Sequence, residues 1–366
     1  MSPGGRPADV RYGIVGVGMM GLEHLRNLAA VPGAVVTAVS DPHEPSRASA
    51  VAQSARVGAP VPATFDAHQE LLASGLCDAV VVASPNMTHG AILEDVLATD
   101  LHVLVEKPLC TTVADCRRVV EAARTRSGVV WVGLEYRYMP PVAALIDEVA
   151  AGAVGRVRMV ALREHRFPFL AKVGDWNRFN RNTGGTLVEK CCHFFDLMTL
   201  LAGDRPTRVL ASGAQDVNHL DERYDGLRPD ILDNALVIVD YANGVRASLD
   251  LCMFAEGSRN QEEVSVVGDT GKVEAFLPSG IVRTGARTGW FDGVAERVAT
   301  DGRVAHEGFH HGASYLEHLA FLDAVRHGAP VVVSVEQGLA SVALGVAAQR
   351  SIAEGRVVSY DEVLAG

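Results

Sequence analysis

Residues 11–21 read RYGIVGVGMMG, an apolar run that ends in three glycines with the spacing Gly-X-Gly-X-X-Gly. The next residues place leucine at positions 22, 25 and 28, which is the spacing of an amphipathic helix. A buried strand that leads into a glycine-rich turn and a helix is typical of dinucleotide-binding folds. Gly16 would permit the tight turn, Gly18 would let a pyrophosphate approach the backbone, and Gly21 would let the helix pack on the strand. The predicted cofactor contacts at this turn are Gly16, Gly18, Met19, Met20 and Gly21.

A second apolar strand, predicted at residues 34–39, is followed by Ser40 and Asp41. Asp41 lies 20 residues after Gly21, where an acid can accept hydrogen bonds from the adenosine ribose. A carboxylate there repels a 2′-phosphate, so we expect NAD rather than NADP as the cofactor. Alternatively, Asp41 only caps a turn or a helix, and the nearby Arg47 could still accommodate NADP.

Two further apolar strands are predicted at residues 79–83 and 101–105, and polar residues follow both of them. Ligands bind at the carboxyl edge of a parallel sheet, so these polar residues are candidates for the cofactor site. Lys107 could donate a hydrogen bond to a substrate hydroxyl and stabilise negative charge on its oxygen; the alternative is a surface lysine paired with Glu106. His89 could instead cap the helix that follows it. The predicted cofactor contacts at this edge are Ser84, Asn86, His89, Glu106 and Lys107.

The alternation of strands and helices predicts an α/β Rossmann domain at residues 9–138, with a doubly wound parallel sheet. From residue 139 to 366, alternating apolar segments predict an α+β domain with a large, mostly antiparallel sheet. One long helix is expected at residues 185–201, and a terminal helix at 335–354 that can pack back on the first domain. The broad sheet offers a face for self-association, so we expect a homodimer or a homotetramer.

The helix expected at residues 185–201 would carry Glu189 and His193 four residues apart and therefore on one face. The carboxylate could hold the imidazole in one tautomer and tune its pKa for proton transfer. The alternative is a partly buried histidine that a nearby acid satisfies. The other motifs favour the catalytic interpretation.

Further candidate substrate contacts lie in segments rich in aromatic and basic residues, at the end of the first domain and in the loop before the central helix. Such loops suit polyhydroxylated ligands, although they also serve solubility. A histidine and a tyrosine four residues apart, in a helix expected at 312–327, could also face the cleft. The predicted substrate contacts in these segments are Tyr136, Arg137, Trp176, Arg178, His311 and Tyr315.

Length and composition limit the class of protein. A chain of 366 residues exceeds what one core supports, and a net charge of −11 without a basic run argues for a small-molecule partner rather than nucleic acid. The six cysteines lack metal-binding spacing, so we expect reduced thiols and no metal site. Residues 2–9 contain no apolar leader segment and no apolar run reaches membrane-spanning length, which predicts a cytoplasmic protein.

Three motifs follow one another along the chain: the glycine-rich turn with Asp41, the Glu-Lys-Pro segment at 106–108, and a Gly-Gly segment that leads to Glu189 and His193. In this combination nearly the whole chain resembles the Gfo/Idh/MocA family of glucose-fructose oxidoreductases, inositol dehydrogenases and rhizopine-catabolism proteins. The resemblance implies that Lys107 lies beside the reacting carbon and that His193 is the general acid/base. Glu189 would occupy the position of the family's acid.

The resemblance implies hydride transfer between NAD and a secondary hydroxyl of a cyclic polyol, a sugar or a glycoside. Two departures from the family pattern bear on the substrate: Glu189 stands where aspartate is commoner, and Cys191 and Cys192 precede the histidine where a glycine is common. Two other functions remain open. One is an enzyme that holds and recycles NAD, such as an NAD-dependent glycosidase; the other is a non-catalytic NAD-linked regulator.

Overall fold

The computed structural model describes residues 8–366, so most of the segment used for the leader prediction, residues 2–7, lies outside the described residues. All six cysteines carry free thiols. Within residues 8–366, no three ligand-type side chains are grouped so that they could hold a metal ion, and no helix has the length and apolarity to cross a bilayer.

The first half of the chain alternates strands with helices. Its elements are β1 (Val10–Val15), α1 (Met19–Ala30), β2 (Ala34–Ser40), α2 (Glu44–Arg56), β3 (Ala63–Phe65), α3 (His68–Ala73), β4 (Ala79–Val82), α4 (His89–Leu97), β5 (His102–Glu106), α5 (Val113–Ala123), β6 (Val130–Gly133) and α6 (Pro140–Ala150). The six strands are parallel and lie in the order β3-β2-β1-β4-β5-β6. Helices cover both faces of such a sheet, which explains why β4 is apolar and buried along its whole length. The predicted doubly wound sheet is confirmed.

The second half is built on a nine-stranded sheet. Its elements are β7 (Val157–His165), α7 (Asn180–Thr183), α8 (Thr186–Glu189), α9 (Cys192–Ala202), β8 (Pro206–Ala214), β9 (Asn234–Tyr241), β10 (Arg246–Cys252), β11 (Glu262–Gly268), β12 (Gly271–Leu277), β13 (Ile281–Ala286), β14 (Val294–Val298), α10 (Ala313–His327), α11 (Val335–Glu354), β15 (Val358–Ser359) and α12 (Tyr360–Ala365). The strand order is β14-β13-β12-β11-β7-β10-β9-β8-β15, and only the β7–β10 pair is parallel. The predicted mostly antiparallel sheet is also confirmed.

The prediction of one continuous helix at residues 185–201 is wrong. The chain forms α8 and α9 with a break at Lys190 and Cys191. At the break, the carbonyl oxygen of Glu189 accepts hydrogen bonds from the ammonium of Lys107 at 3.4 Å and from the thiol of Cys192 at 3.4 Å. One of these donors, Lys107, is 82 residues away in sequence, so helical periodicity could not indicate this contact at the break.

Helices from the second half also pack against the first sheet. α11 lies against α5 as well as against α8, α9 and β8, and Gly338 in α11 is in close contact with Leu109 and Val132. α10 packs on α1, and Glu317 in α10 accepts a hydrogen bond from the indole of Trp131 at 3.1 Å. The two sheets are thus joined through these two helices, and the junction includes buried polar groups.

We expect that Gly21→Ala destabilises the protein, because its Cβ would lie 2.0 Å from the carbonyl oxygen of Gly16. Overpacking of this kind costs about 1–3 kcal/mol of unfolding free energy, which urea denaturation measures. Gly18→Ala is the matched control, since a Cβ at Gly18 meets no atom within 4 Å. Equal unfolding free energies for the two variants would contradict the close packing of α1 on the turn.

Candidate active site

A cavity of about 730 Å³ lies at the carboxyl edge of the six-stranded sheet. The turns after β1, β2, β4 and β5 form one side, and residues 171–176 together with the end of α8 form the other. Ligands bind at such an edge because the connections diverge where the strand order reverses, here between β1 and β4. The predicted site residues that line the cavity are Gly16, Gly18, Met19, Met20, Asp41, Ser84, Asn86, Glu106, Lys107, Trp176 and Glu189.

The glycine-rich turn is shaped by close backbone approaches. Gly16 has a φ of 87°, and a Cβ there would lie 2.6 Å from the backbone of Ser84, so only glycine fits. Gly18 borders the open cavity. Gly21 is not part of the cavity wall and instead lets α1 approach the turn. The positive end of the α1 dipole therefore faces the cavity, which favours an anionic ligand group.

The Asp41 carboxylate lines the cavity and also fixes the two adjacent turns. Its oxygens accept hydrogen bonds from the backbone N–H of Val17 at 2.9 Å and of His43 at 2.8 Å. The guanidinium of Arg47 is engaged elsewhere, because it donates to the carbonyl of Asp41 at 2.6 Å and pairs with Asp66 at 2.8 Å. The cavity wall at this point therefore presents a carboxylate, and the arginine that could favour a 2′-phosphate already has partners.

On the sheet side of the cavity, two buried polar atoms have no hydrogen-bond partner among the described residues: Nδ2 of Asn86 and Oγ of Ser40. Buried polar groups are rarely left unpaired, so these atoms are suited to bind a polar ligand. Together with the anion-favouring turn and Asp41, they form a set of donors and acceptors that fits a dinucleotide.

His89 lies behind the cavity wall and is fully buried. Its Nδ1 lies 2.8 Å from the carbonyl oxygen of Pro108, and its Nε2 lies 3.0 Å from that of Ser84. Burial lowers the pKa of this imidazole. The structure thus places His89 as a link between the turns after β4 and β5, and no cofactor contact from its side chain follows from this position.

Lys107 extends from the end of β5 toward the second half of the chain. Its Nζ lies 3.4 Å from the carbonyl oxygen of Glu189. Burial opposes the positive charge, but Cys192 and the carboxylates of Glu106 and Glu189 outweigh it, so the pKa of Lys107 is raised. Burial also raises the pKa of Cys192 to about 12, so at neutral pH the carboxylates supply the negative charge. Lys107 is therefore a cation that faces the cavity.

Glu189 and His193 are brought close to this ammonium, but they do not pair with each other as predicted. Oε2 of Glu189 and Nδ1 of His193 are both buried, and neither has a hydrogen-bond partner within residues 8–366. His193 is only 1% exposed and stacks on Tyr136 with ring centroids 3.9 Å apart and planes 5° apart. The break between α8 and α9 separates the two side chains, so Glu189 reaches the cavity wall while His193 lies behind it.

The charge states of these two groups follow from burial. Burial and the positive charges of Lys107 and Lys190 lower the pKa of His193 well below 6.5. Burial raises the pKa of Glu189, and Lys107 and Lys172 oppose that change. His193 is therefore a neutral imidazole near pH 7 and can accept a proton.

Besides His193, five predicted substrate contacts do not line this cavity in the described structure: Tyr136, Arg137, Arg178, His311 and Tyr315. Arg137 forms a buried ion pair with Asp196, and Arg178 pairs with Glu222 at 3.1 Å. Tyr315 is buried with its hydroxyl 3.5 Å from the carbonyl of Ala30. His311 is exposed and lies before α10 rather than within it, so its predicted helical spacing from Tyr315 is wrong. Tyr136 lies beside the cavity, under His193, and accepts a hydrogen bond from Lys190 at 2.7 Å.

The sequence interpretation missed Lys172, which lines the cavity opposite the sheet, and Lys190, which donates to the hydroxyl of Tyr136. Lys190 also pairs with the buried Glu164 at 2.8 Å. A signal was present in the composition: the chain has four lysines against 29 arginines, and three of the four lie around this site. The compact ammonium of lysine is not interchangeable with guanidinium, so the grouping of these rare lysines points to the site.

Comparison with known proteins identifies the family of both halves of the chain. The family description "Oxidoreductase family, NAD-binding Rossmann fold" matches residues 10–134, and "Oxidoreductase family, C-terminal alpha/beta domain" matches residues 146–360. Myo-inositol 2-dehydrogenase from Thermotoga maritima is 28% identical over 97% of this chain and 100% of its own length. Inositol 2-dehydrogenase 1 from Saccharopolyspora erythraea is 30% identical over 96% of both chains.

Among solved structures, GenD2 from gentamicin A biosynthesis in complex with NAD is 26% identical, with a TM-score of 0.78. The match covers 98% of this chain and 99% of that chain. The first half of the chain is thus an NAD-binding Rossmann fold, and the likeness extends through the second half.

We expect the imidazole of His193 to stay neutral down to a pH below 6.5. NMR on histidine-labelled protein measures this titration, and the His193→Gln variant assigns the signal. The unfolded chain takes up this proton near pH 6.5 and the folded chain does so only at lower pH. The stability that the neutral imidazole contributes is therefore complete above pH 6.5 and is lost as pH falls through the lowered pKa, by up to about 1.4 kcal/mol per pH unit. A midpoint at or above 6.5 in the folded protein would contradict this environment.

Proposed function

This chain belongs to the Gfo/Idh/MocA oxidoreductase family, and from that premise we propose that it is an NAD-dependent dehydrogenase that oxidises a secondary hydroxyl of a cyclic polyol or sugar. The named relatives that match over nearly the full chain are inositol 2-dehydrogenases, which supports an inositol or a similar ring as substrate. The observation that carries the proposal lies at one end of the cavity, next to the buried His193. There the Lys107 ammonium donates to the backbone carbonyl of Glu189, and the carboxyl group of the same residue lines the cavity with one oxygen unpartnered.

In the proposed reaction the chain's own residues bind the alcohol and take its proton. Bound NAD supplies the hydride acceptor. Lys107 donates a hydrogen bond to the hydroxyl oxygen and stabilises the negative charge that develops there. The neutral imidazole of His193 accepts the hydroxyl proton, and the free oxygen of Glu189 accepts a hydrogen bond from a neighbouring hydroxyl. Because His193 lies behind the cavity wall, its role as the base requires the substrate hydroxyl to approach it past Glu189. Catalytic hydrogen bonds commonly tighten only when the ligand is bound.

The proposed cofactor contacts extend from the glycine-rich turn to the Lys107 end of the cavity. The pyrophosphate would lie against Gly18 and Met19 at the start of α1, and the adenosine ribose against Asp41. Asn86 would use its free Nδ2 toward the cofactor. The Asp41 carboxylate and the engaged Arg47 support a preference for NAD over NADP.

The test is a screen of inositols, aldoses and glycosides with NAD and with NADP, following absorbance at 340 nm in single-turnover reactions. We expect NADH to form with at least one cyclic polyol or sugar. We expect His193→Ala to slow that step by about 100-fold or more, because its general base is lost. His327→Ala is the control, since His327 is an exposed residue at the end of α10.

Three outcomes would contradict the proposal. An unchanged rate in His193→Ala would remove the assigned base. Release of an aglycone without accumulation of NADH would indicate an enzyme that recycles its cofactor. Binding of NAD without turnover of any compound in the screen would indicate a regulator.

We also propose that the outer face of the nine-stranded sheet mediates self-association into a homodimer or homotetramer. This face exposes a cluster of large apolar side chains on neighbouring strands; it includes Leu210 on β8 and Leu236 and Ile238 on β9. Leu210 and Ile238 are directly paired across the two strands, and Leu236 is 61% exposed. Exposed apolar patches of this kind commonly mark association surfaces.

We expect the Leu236→Lys, Ile238→Lys double variant to be a monomer by light scattering while the unaltered chain is a dimer or tetramer. Charges introduced into an apolar interface must be desolvated on association, which disfavours it. Arg246→Lys, an exposed substitution on β10 that keeps the charge, serves as the control. A monomeric unaltered chain, or an unchanged mass in the double variant, would contradict this surface as the interface.

A further inference from the structure

A row of three buried side chains runs from the cavity wall to the second half of the chain. Glu106, at the end of β5, lines the cavity, and its Oε1 lies 2.8 Å from Nε2 of His24 on α1. Nδ1 of the same imidazole lies 2.9 Å from Nε2 of His318 on α10. Glu106 is 5% exposed and both histidines are 1% exposed. These contacts join three elements that are far apart in sequence.

The hydrogen positions in this row follow from its chemistry. A carboxylate only accepts hydrogen bonds, so Nε2 of His24 carries the hydrogen that Glu106 accepts. In a neutral His24, Nδ1 is then the acceptor and Nε2 of His318 is the donor. A protonated His24 would instead leave an N–H at Nδ1 of His318, which has no partner among the described residues, and a buried unpaired donor is costly. Burial also lowers the pKa of His318 well below its usual value, which favours the neutral form.

The other oxygen of Glu106 connects the row to Lys107. Oε2 accepts a hydrogen bond from the backbone N–H of Lys107 at 3.1 Å. Both carboxylate oxygens therefore have donors, which fixes the orientation of Glu106. Its negative charge is one of those that keep the Lys107 ammonium charged despite burial.

We propose that His24 and His318 are positioning residues for the reaction, which hold the carboxylate of Glu106 in place and through it keep Lys107 as a correctly placed ammonium. The inference rests on the proposed role of Lys107 and adds two residues from outside the cavity. It also gives α10 a role at the site, because His318 is the only member of the row that the second half of the chain supplies.

The row is suited to hold a charge rather than to conduct a proton. It ends at Nδ1 of His318, a buried atom without a partner in the described part of the chain. The ring of His318 is packed edge-on against Tyr12, with centroids 6.4 Å apart, and against His24 at 5.0 Å. No route to solvent continues from this nitrogen through the contacts of the described residues, so the row orients Glu106.

The test measures Lys107 directly and needs neither substrate nor cofactor. Trace acetylation with acetic anhydride, followed across pH by peptide mass spectrometry, reports the free-amine fraction of each lysine. The chain has only four lysines, and the partly exposed Lys272 on β12 serves as the internal reference. Glu106→Gln removes a negative charge beside Lys107, and His24→Leu removes the donor that holds the Glu106 carboxylate there. In both variants we expect burial to lower the pKa of Lys107. Its reactivity at pH 9 should rise about tenfold relative to Lys272 for each unit of that change.

His24→Gln is the rescue variant, because its amide can donate to Glu106 and accept from His318 at once. We expect the Lys107 reactivity of His24→Gln to stay within about twofold of the unaltered chain. A merely structural role for His24 would not produce this difference between the Gln and the Leu variants. His327→Leu, at the exposed end of α10, is the control for a histidine-to-leucine change. Thermal unfolding of every variant distinguishes loss of the Glu106–His24–His318 hydrogen bonds from loss of the fold. If His24→Leu does not fold, Lys107 reactivity is measured in Glu106→Gln and His318→Leu.

Unchanged Lys107 reactivity in Glu106→Gln, or equal reactivity in His24→Leu and His24→Gln, would overturn the proposal. With a substrate identified, the same variants give a second measurement: kcat should fall about tenfold or more in His24→Leu while the Kd for NAD is unchanged. A failed substrate screen would count against the proposed function alone, because the acetylation result stands without it.

Discussion

The arrangement of the site depends on one constraint: the ammonium of Lys107 must remain charged where the two halves of the chain meet. Burying an isolated cation is costly unless negative charge or hydrogen-bond acceptors surround it. The first sheet supplies the carboxylate of Glu106 and the second half supplies the carbonyl oxygen of Glu189. That carbonyl lies at the break between α8 and α9, where it is free to accept the hydrogen bond from the Lys107 ammonium.

Polar pairs between the halves extend this junction along α1 and the end of the first domain. The buried carboxylate of Glu23 accepts a hydrogen bond from the backbone N–H of Phe309 at 3.2 Å. Glu135 lies 2.8 Å from His310, and although burial opposes ionisation, the histidine lowers the pKa of Glu135 to about 2. Directional contacts of this kind specify one relative placement, whereas apolar packing alone tolerates sliding. The cavity between the halves is therefore held in one shape.

Much of the fold and half of the site could be read from the sequence, because these depend on local patterns. The glycine spacing and the apolar strand of residues 11–21 require the turn that the structure shows, and Asp41, Asn86 and Lys107 follow directly from strands whose carboxyl ends meet at one edge. Arg137 and Arg178 could not be judged in this way. Both are basic residues in suitable loops, but their ion-pair partners lie 59 and 44 residues away in sequence.

The doubly wound sheet, the antiparallel second sheet and the residue types at the strand ends can all be derived from the order of the amino acids. These features follow from periodicity and from the conformational freedom of glycine, both of which act over a few residues. Two placements arise only when distant segments fold together: Glu189 faces the cavity while His193 stacks on Tyr136, and His24 and His318 lie behind Glu106. Those placements depend on hydrogen bonds and buried charges between segments up to 294 residues apart, which no local pattern encodes.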